Sequence, residues 1–198
     1  MIKVPQPAMA LNALDSPCRY TMQVTYDVSN AEPIDVILRQ VRQAALRQGR
    51  KKLRVLVINC HGLYNGPAPT GTGGYGLYLG SGIRAMTVHH FSLLREGDAT
   101  SRPLVDNIWI TACGAAAVSP IDSHGDGNGI MLCKNMAKYS GANVTAANIQ
   151  QLSDSGQVTA NEIDEFEGLT RQFSPDGAII WQHEYPRGFL QTFRFGPN

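Results

Sequence analysis

Residues 53–62 read LRVLVINCHG, and residues 107–114 read NIWITACG. Leu53 to Cys60 is an almost unbroken apolar run. Such a run predicts a strand buried on both faces, as strands of parallel sheets are. Asn107 to Ala112 predicts a second strand of the same kind. On the N-terminal side of the first run, Ile34, Ile37, Leu38, Val41 and Ala45 fall on one helical stripe. Pro33 opens that helix and Gly49 stops it. The basic run Arg50, Lys51, Lys52 reads as its solvated end, placed to complement the helix dipole. Tyr20 to Val28 is rich in β-branched and aromatic residues and predicts a strand. Between the two apolar runs, Ile83 to Arg95 predicts a helix with Val88, Phe91 and Leu94 inward. After the second run, a helix is predicted from Asn128 to Ser140, capped by Asn128 and ended by Gly141. Asn143 to Ala147 then predicts a third short strand.

The alternation β-α-β-α-β argues a parallel sheet with helices on its faces. Beyond it, Phe166 to Phe173, Ala178 to Trp181 and Phe189 to Phe195 predict strands joined by turns. The clearest of those turns is Ser174-Pro175-Asp176-Gly177. The expected fold class is therefore α/β: a mostly parallel central sheet flanked by helices, with antiparallel C-terminal strands added at an edge.

A chain of 198 residues suits one domain, residues 1–198. Residues 1–17 are expected to be a loosely held N-terminal segment, and residues 157–198 the C-terminal β addition. Apolar residues make up 43% and charged residues 17%, enough for a core and too little charge for a disordered chain. Lys and Arg number 17 against 16 Asp and Glu, so no general electrostatic grip on nucleic acid or on an anionic membrane is expected. No apolar stretch is long enough for a spanning helix. The first residues lack the pattern of a secretory leader, which favours the cytoplasm or export without a cleavable leader. Cys18, Cys60, Cys113 and Cys133 show no C-x-x-C spacing, so reduced thiols are expected and no metal site.

In open α/β sheets, ligands gather beyond the carboxyl ends of the strands. His61-Gly62 ends the first apolar run, and Ala112-Cys113-Gly114 ends the second. Neighbouring parallel strands lie roughly 4.8 Å apart, which would bring His61 and Cys113 to one crevice. A thiol deprotonated by an imidazole attacks a carbonyl, and the imidazole later protonates the leaving amine. Glycine lets the backbone approach closely, so the N–H groups of Gly62 and Cys113 are candidates to stabilise an oxyanion. Taken singly, each residue has a plainer reading. A Cys at a strand end is commonly a small buried hydrophobe, and a His there commonly satisfies a backbone carbonyl. The matched contexts are what favour a pair.

An apolar run ending in His-Gly, followed 52 residues later by one ending in Ala-Cys-Gly, resembles the caspase-like cysteine peptidases, a superfamily that includes caspases, legumain, separase, gingipain, clostripain and bacterial CHAT-type domains. The resemblance covers about Leu53 to Ala147. It implies a His61–Cys113 dyad, an oxyanion site at the Gly62 and Cys113 N–H groups, a protein or peptide substrate and no cofactor. The residues after Cys113 are Gly-Ala-Ala-Ala, and position 111 is Thr where the fuller caspase signature has Gln, so the chain looks more like a bacterial-type relative. In such enzymes an acidic residue near the nucleophile favours Arg or Lys before the cut. Asp98, Asp122 and Asp126 lie in candidate loops. Asp126, flanked by Gly125 and Gly127, is the favoured substrate-binding residue.

Two other classes fit less of the pattern. One is a catalytically silent caspase-like module that binds partners. The other is a phosphate-binding α/β enzyme using Gly71 to Gly76, which matches G-x-G-x-x-G but has no strand just before it and no helix just after. Asp122 to Gly127 resembles the start of an EF-hand loop, yet its twelfth position is Cys133 where Glu is needed. His183-Glu184 lacks the second His of a zinc protease motif. Cys60 points to the opposite face from His61 and reads as core, as does Cys133 on its helix.

Overall fold

Every residue of Leu53–Asn59 except Arg54 is buried, as an apolar run at the middle of a sheet requires. A computed structural model of the chain describes residues 1–49, 52–64, 73–98, 100–151 and 159–186. Its strands in chain order are β1 (Ile2–Lys3), β2 (Ala8–Ala13), β3 (Val24–Val28), β4 (Leu53–Asn59), β5 (His61–Gly62), β6 (Leu77–Tyr78), β7 (Val105–Ile110), β8 (Asn143–Ala147), β9 (Glu162–Ile163), β10 (Gly168–Phe173) and β11 (Ile179–Tyr185). The helices are α1 (Ile34–Arg47) and α2 (Gly129–Ser140), with a 3-10 helix over Val88–Leu94. Seven strands form one mixed sheet in the order β11-β10-β8-β7-β4-β2-β3. The pairs from β8 through β3 are parallel, while β10 runs antiparallel to β8 and β11 antiparallel to β10. The protein is thus α/β, with a mixed sheet flanked by three helices and two small antiparallel ladders, β1–β9 and β5–β6.

The strand order decides where the helices lie. From β3 to β4, β4 to β7 and β7 to β8 the chain steps across the sheet in one direction. Right-handed crossovers then place all three connections on the same face. Accordingly Ile37, Leu38 and Val41 of α1, Phe91 of the 3-10 helix and Met136 of α2 share one core with Leu56, Ile58, Ile108 and Ile110 of the sheet. The step from β2 to β3 runs the other way, so its connection crosses the opposite face. There Tyr20 and Met22, with Val4, Ile163 and Phe166, cover Ala8, Ala10, Val55 and Val57. The expectation of helices on both faces is corrected: the second face is covered by loops and the short β1–β9 ladder.

The N-terminal segment also departs from expectation. Residues 8–13 are not loosely held. All six are buried, and they pair in parallel with both β3 and β4. Their sequence, AMALNA, has little intrinsic β preference; the strand forms because its small side chains fit between two neighbours that need a partner. Ile83 to Arg95 is not an α-helix throughout. Val88, Phe91 and Leu94 are its buried residues, and a stripe recurring every third residue matches three residues per turn.

Helices α1 and α2 follow their sequence signals. The buried stripe of α1 comprises Ile34, Ile37, Leu38, Val41, Ala44 and Ala45. In α2 the Asn128 side chain accepts the Met131 N–H, and Gly141 at φ 74° closes the helix. The 174–177 turn closes with a 2.9 Å bond from the Gly177 N–H to the Ser174 carbonyl. The expected strand over Phe189–Phe195 lies outside the described residues, as do Arg50 and Lys51 of the basic run and Gly71 of the glycine-rich motif. Gly74 of that motif serves packing: a Cβ there would lie 2.4 Å from the Ala117 carbonyl oxygen. No helix among the described residues is long and apolar enough to cross a membrane.

Candidate active site

β2 and β4 are neighbours whose onward connections leave for opposite faces. A crevice opens at their carboxyl ends, where ligands of open α/β sheets gather. β4 delivers His61 to it. β7, alongside β4, delivers Cys113. The β4–β7 ladder continues past Ile110, with the Thr111 N–H donating to the Ile58 carbonyl at 3.0 Å. The two strand ends touch: a Cβ added at Gly62 would lie 1.8 Å from the Cys113 carbonyl oxygen. Only glycine permits that approach.

His61 and Cys113 border one cleft of about 30 Å³. The His61 Nε2 is 2.9 Å from the Asp15 carbonyl oxygen. A carbonyl only accepts, so this contact holds the ring proton on Nε2 and leaves Nδ1 as the basic nitrogen. Cys113 is half-buried, and its sulfur accepts the Gln151 N–H at 3.2 Å. Burial pushes the Cys113 thiol up from its ordinary range, and the charge of Glu167 adds to the rise; the N–H groups of Gln151 and of Cys113 itself partly oppose it. The thiol is therefore neutral at pH 7 and needs a base to react.

Gly62 lies opposite Leu77 in the β5–β6 ladder, and the next residue, Leu63, donates its N–H to the Gly76 carbonyl at 2.9 Å. By the alternation of antiparallel pairing, Gly62 occupies a non-hydrogen-bonded position and its N–H points away from β6.

A buried polar network beneath the cleft fixes the segment that carries Asp15. Asn12 and Asn59 are 2% and 4% exposed, and the Asn59 Nδ2 donates to the Asn12 Oδ1 and to the Cys18 carbonyl, both at 2.8 Å. The Asn59 Oδ1 accepts from the Ser16 hydroxyl at 3.1 Å. Asn12 exchanges two further bonds with the Tyr20 backbone, each at 3.0 Å. Buried amides satisfied in this way fix one arrangement, and removing one strands its partners. Asn59→Ala is expected to destabilise the protein by about 2 kcal/mol in urea unfolding. It is also expected to loosen the Asp15–His61 contact, seen as faster exchange of the His61 Nε2 proton by NMR.

Among the described residues, the carboxylates lining the cleft are Asp164 and Glu165. The Asp164 Oδ2 accepts the Tyr20 hydroxyl at 2.8 Å, and burial with these neighbours pushes the Tyr20 hydroxyl up. Asp126, the favoured sequence candidate, is not among the lining residues; it is exposed in the turn before α2. Asp122 in that turn accepts the Gly127 N–H at 3.1 Å, and Asp98 accepts the Thr100 N–H at 2.9 Å, so both carboxylates serve local turns. Asp164, Glu165 and Phe166 border the cleft, while Asp126 lies in the turn before α2.

Sequence reasoning also missed Gln151. Its side chain accepts the Glu167 N–H at 3.0 Å and donates to the Ile149 and Glu167 carbonyls, clamping the backbone that touches Cys113. No local pattern marks it. Cys60 and Cys133 are buried; Cys60 also borders the cleft, and burial pushes the Cys133 thiol up to about 12. Among the described residues, no cluster of three His, Cys, Asp or Glu side chains has the arrangement of a metal site. Comparison with known family models, curated proteins and solved structures finds no match to this chain.

Proposed function

We propose that the protein is a cysteine endopeptidase of the caspase-like type. The observation that carries this reading is a thiol and an imidazole, brought by the ends of adjacent parallel strands to one cleft, with the imidazole's Nε2 proton already committed to Asp15. The Cys113 sulfur forms a bond to the scissile carbonyl carbon while its proton passes to the His61 Nδ1. The carbonyl oxygen becomes an oxyanion, which accepts hydrogen bonds donated by the N–H groups of Gly62 and Cys113. The C–N bond then breaks, and His61 gives the proton to the departing amine. Water, deprotonated by the same imidazole, attacks the thioester and frees Cys113. The protein or peptide substrate is the only partner the reaction needs.

Burial of the Cys113 thiol favours a second reading, a catalytically silent module of the same architecture that binds partners. A combinatorial peptide library separates the two. The peptidase releases products; absence of turnover on every peptide, with partner binding equal in wild type and Cys113→Ala, replaces it with the silent module.

The pH dependence of labelling gives a further check. Because the folded thiol is raised, the reactive thiolate is scarce at neutral pH. Iodoacetamide modification of Cys113, followed by peptide mass spectrometry, is expected to be slow at pH 7. It should accelerate as the pH rises, with a midpoint above that of an ordinary free thiol. A midpoint below 7 would show a thiolate–imidazolium pair instead.

A further inference from the structure

We propose that Gln151 is the positioning residue of the nucleophile: its side-chain amide fixes a stretch of backbone whose N–H and C=O both engage the Cys113 sulfur, and this hold orients the sulfur and supports the thiolate as it forms. Cys113 is a nucleophile on the peptidase reading above, and the proposal rests on that reading.

Strand register brings Gln151 to the sulfur. β7 and β8 are parallel, with Ile110 level with Ala146. Beyond their paired residues the two chains stay together. The Gly114 N–H donates to the Ile149 carbonyl at 2.7 Å, and the Ala116 N–H to the Ala147 carbonyl at 2.9 Å. The chain leaving β8 therefore runs past Cys113. On its other side it meets the start of β10. There the Asn148 N–H donates to the Leu169 carbonyl at 3.2 Å, and the Asn148 Oδ1 accepts the Leu169 N–H at 3.0 Å.

At Gln151 a side chain takes over from the backbone ladder. Its Oε1 accepts the Glu167 N–H at 3.0 Å, and its Nε2 donates to the Glu167 carbonyl at 3.1 Å and to the Ile149 carbonyl at 3.0 Å. One amide thus engages both backbone groups of Glu167, as a neighbouring strand would, and uses its oxygen and both of its N–H groups. A residue gripped in this way cannot turn its own peptide groups freely.

Those peptide groups face the sulfur. The Gln151 N–H donates to the Cys113 Sγ at 3.2 Å, and the Cys113 thiol donates to the Gln151 carbonyl at 3.6 Å. One residue therefore holds the neutral thiol at two points. When the proton leaves, the bond to the carbonyl is lost and the bond from the N–H becomes charge-assisted, which favours the thiolate. The same N–H lowers the Cys113 thiol against the larger effect of burial. The glutamine amide is neutral, so it grips without placing a charge beside the sulfur.

The tests use the full chain. Gln151→Met keeps the length of the side chain, and so the burial, but gives up the grip on Glu167 and Ile149. The midpoint of Cys113 modification by iodoacetamide, read across pH by peptide mass spectrometry, is expected to rise by about one pH unit. At pH 8 the rate should fall about 3-fold, because the loss of thiolate is partly offset by the greater nucleophilicity of a more basic sulfur. Cys60 and Cys133, both buried, are the internal controls. In wild type, which needs no variant to fold, the Gln151 amide proton should move downfield by NMR with the same midpoint as Cys113 modification, a signature absent from Cys113→Ala. In peptide hydrolysis Gln151→Met should lower kcat about tenfold and change KM less than about twofold. An unmoved or lowered midpoint in a folded Gln151→Met, an amide proton that does not follow Cys113, or a loss confined to KM overturns the role of Gln151 and leaves the peptidase reading standing. Faster labelling of Cys113 together with Cys60 and Cys133 marks a structural clamp alone and overturns that role too. Labelling of Cys113 with no hydrolysis of any peptide by wild type overturns the peptidase reading, and the positioning of a nucleophile with it.

Discussion

Replacement of Cys113 by alanine is expected to lower peptide hydrolysis by at least about a thousandfold, with no loss of fold. The size of the effect follows from the chemistry: without the sulfur no acyl-enzyme forms, and what survives is binding and oxyanion stabilisation acting on water alone. The fold should survive because the sulfur's contacts are few. It accepts the Gln151 N–H and lies 3.6 Å from the Gln151 carbonyl oxygen, and Cys113 is only half-buried. The assay is initial-rate hydrolysis of the best substrate from a peptide library, with thermal unfolding as the control. His61→Ala should give a comparable loss, and the double variant should lose little more than either single one, since residues that act as a unit are not additive. Retained hydrolysis in Cys113→Ala would remove the dyad from the mechanism.

After the two dyad residues, Gly62→Ala should have the largest effect, for a steric reason. A methyl group at that position would sit 1.8 Å from the Cys113 carbonyl oxygen and 2.9 Å from its carbon. Backbone cannot yield as a flexible side chain does, so the ends of β4 and β7 must separate. The expected costs are about 3 kcal/mol of stability and a loss of hydrolysis on the order of a hundredfold or more. Urea unfolding and the rate of Cys113 labelling measure the two separately. Wild-type values for both would mean that the strand ends are further apart than the structure places them.

How much of this could be read from residues alone varied with the kind of signal. β4 and β7 were legible because a strand buried on both faces must be apolar at nearly every position. α1 and α2 were legible because a 3.6-residue stripe and local caps specify a helix without outside help. His61 and Cys113 were legible for a related reason: each is a reactive side chain followed by glycine at the end of such a strand. β2 was not, because alanines carry little preference and its strand character is conferred by β3 and β4. The 3-10 helix was read as α because a short stripe at positions 88, 91 and 94 suits either period within the accuracy of a few residues. Asp126 was favoured over Asp98 and Asp122 because its flanking glycines are visible in the chain, and Asp164 carried no local mark at all. The bond between Tyr20 and Asp164, which spans 144 residues, is not visible there.

The sequence by itself determined the α/β class, the main strands and helices and the two groups that stand at strand ends. These are encoded in stretches of 6 to 14 residues, over which side-chain period and capping act locally. Only the tertiary structure decided that all three helices share one face and that the N-terminal residues form an inner strand. It also decided which nitrogen of His61 keeps its proton and that Asp164 and Glu165 border the cleft. Those outcomes depend on strand order and crossover handedness, which bring distant segments to one crevice and leave no periodic mark in the chain.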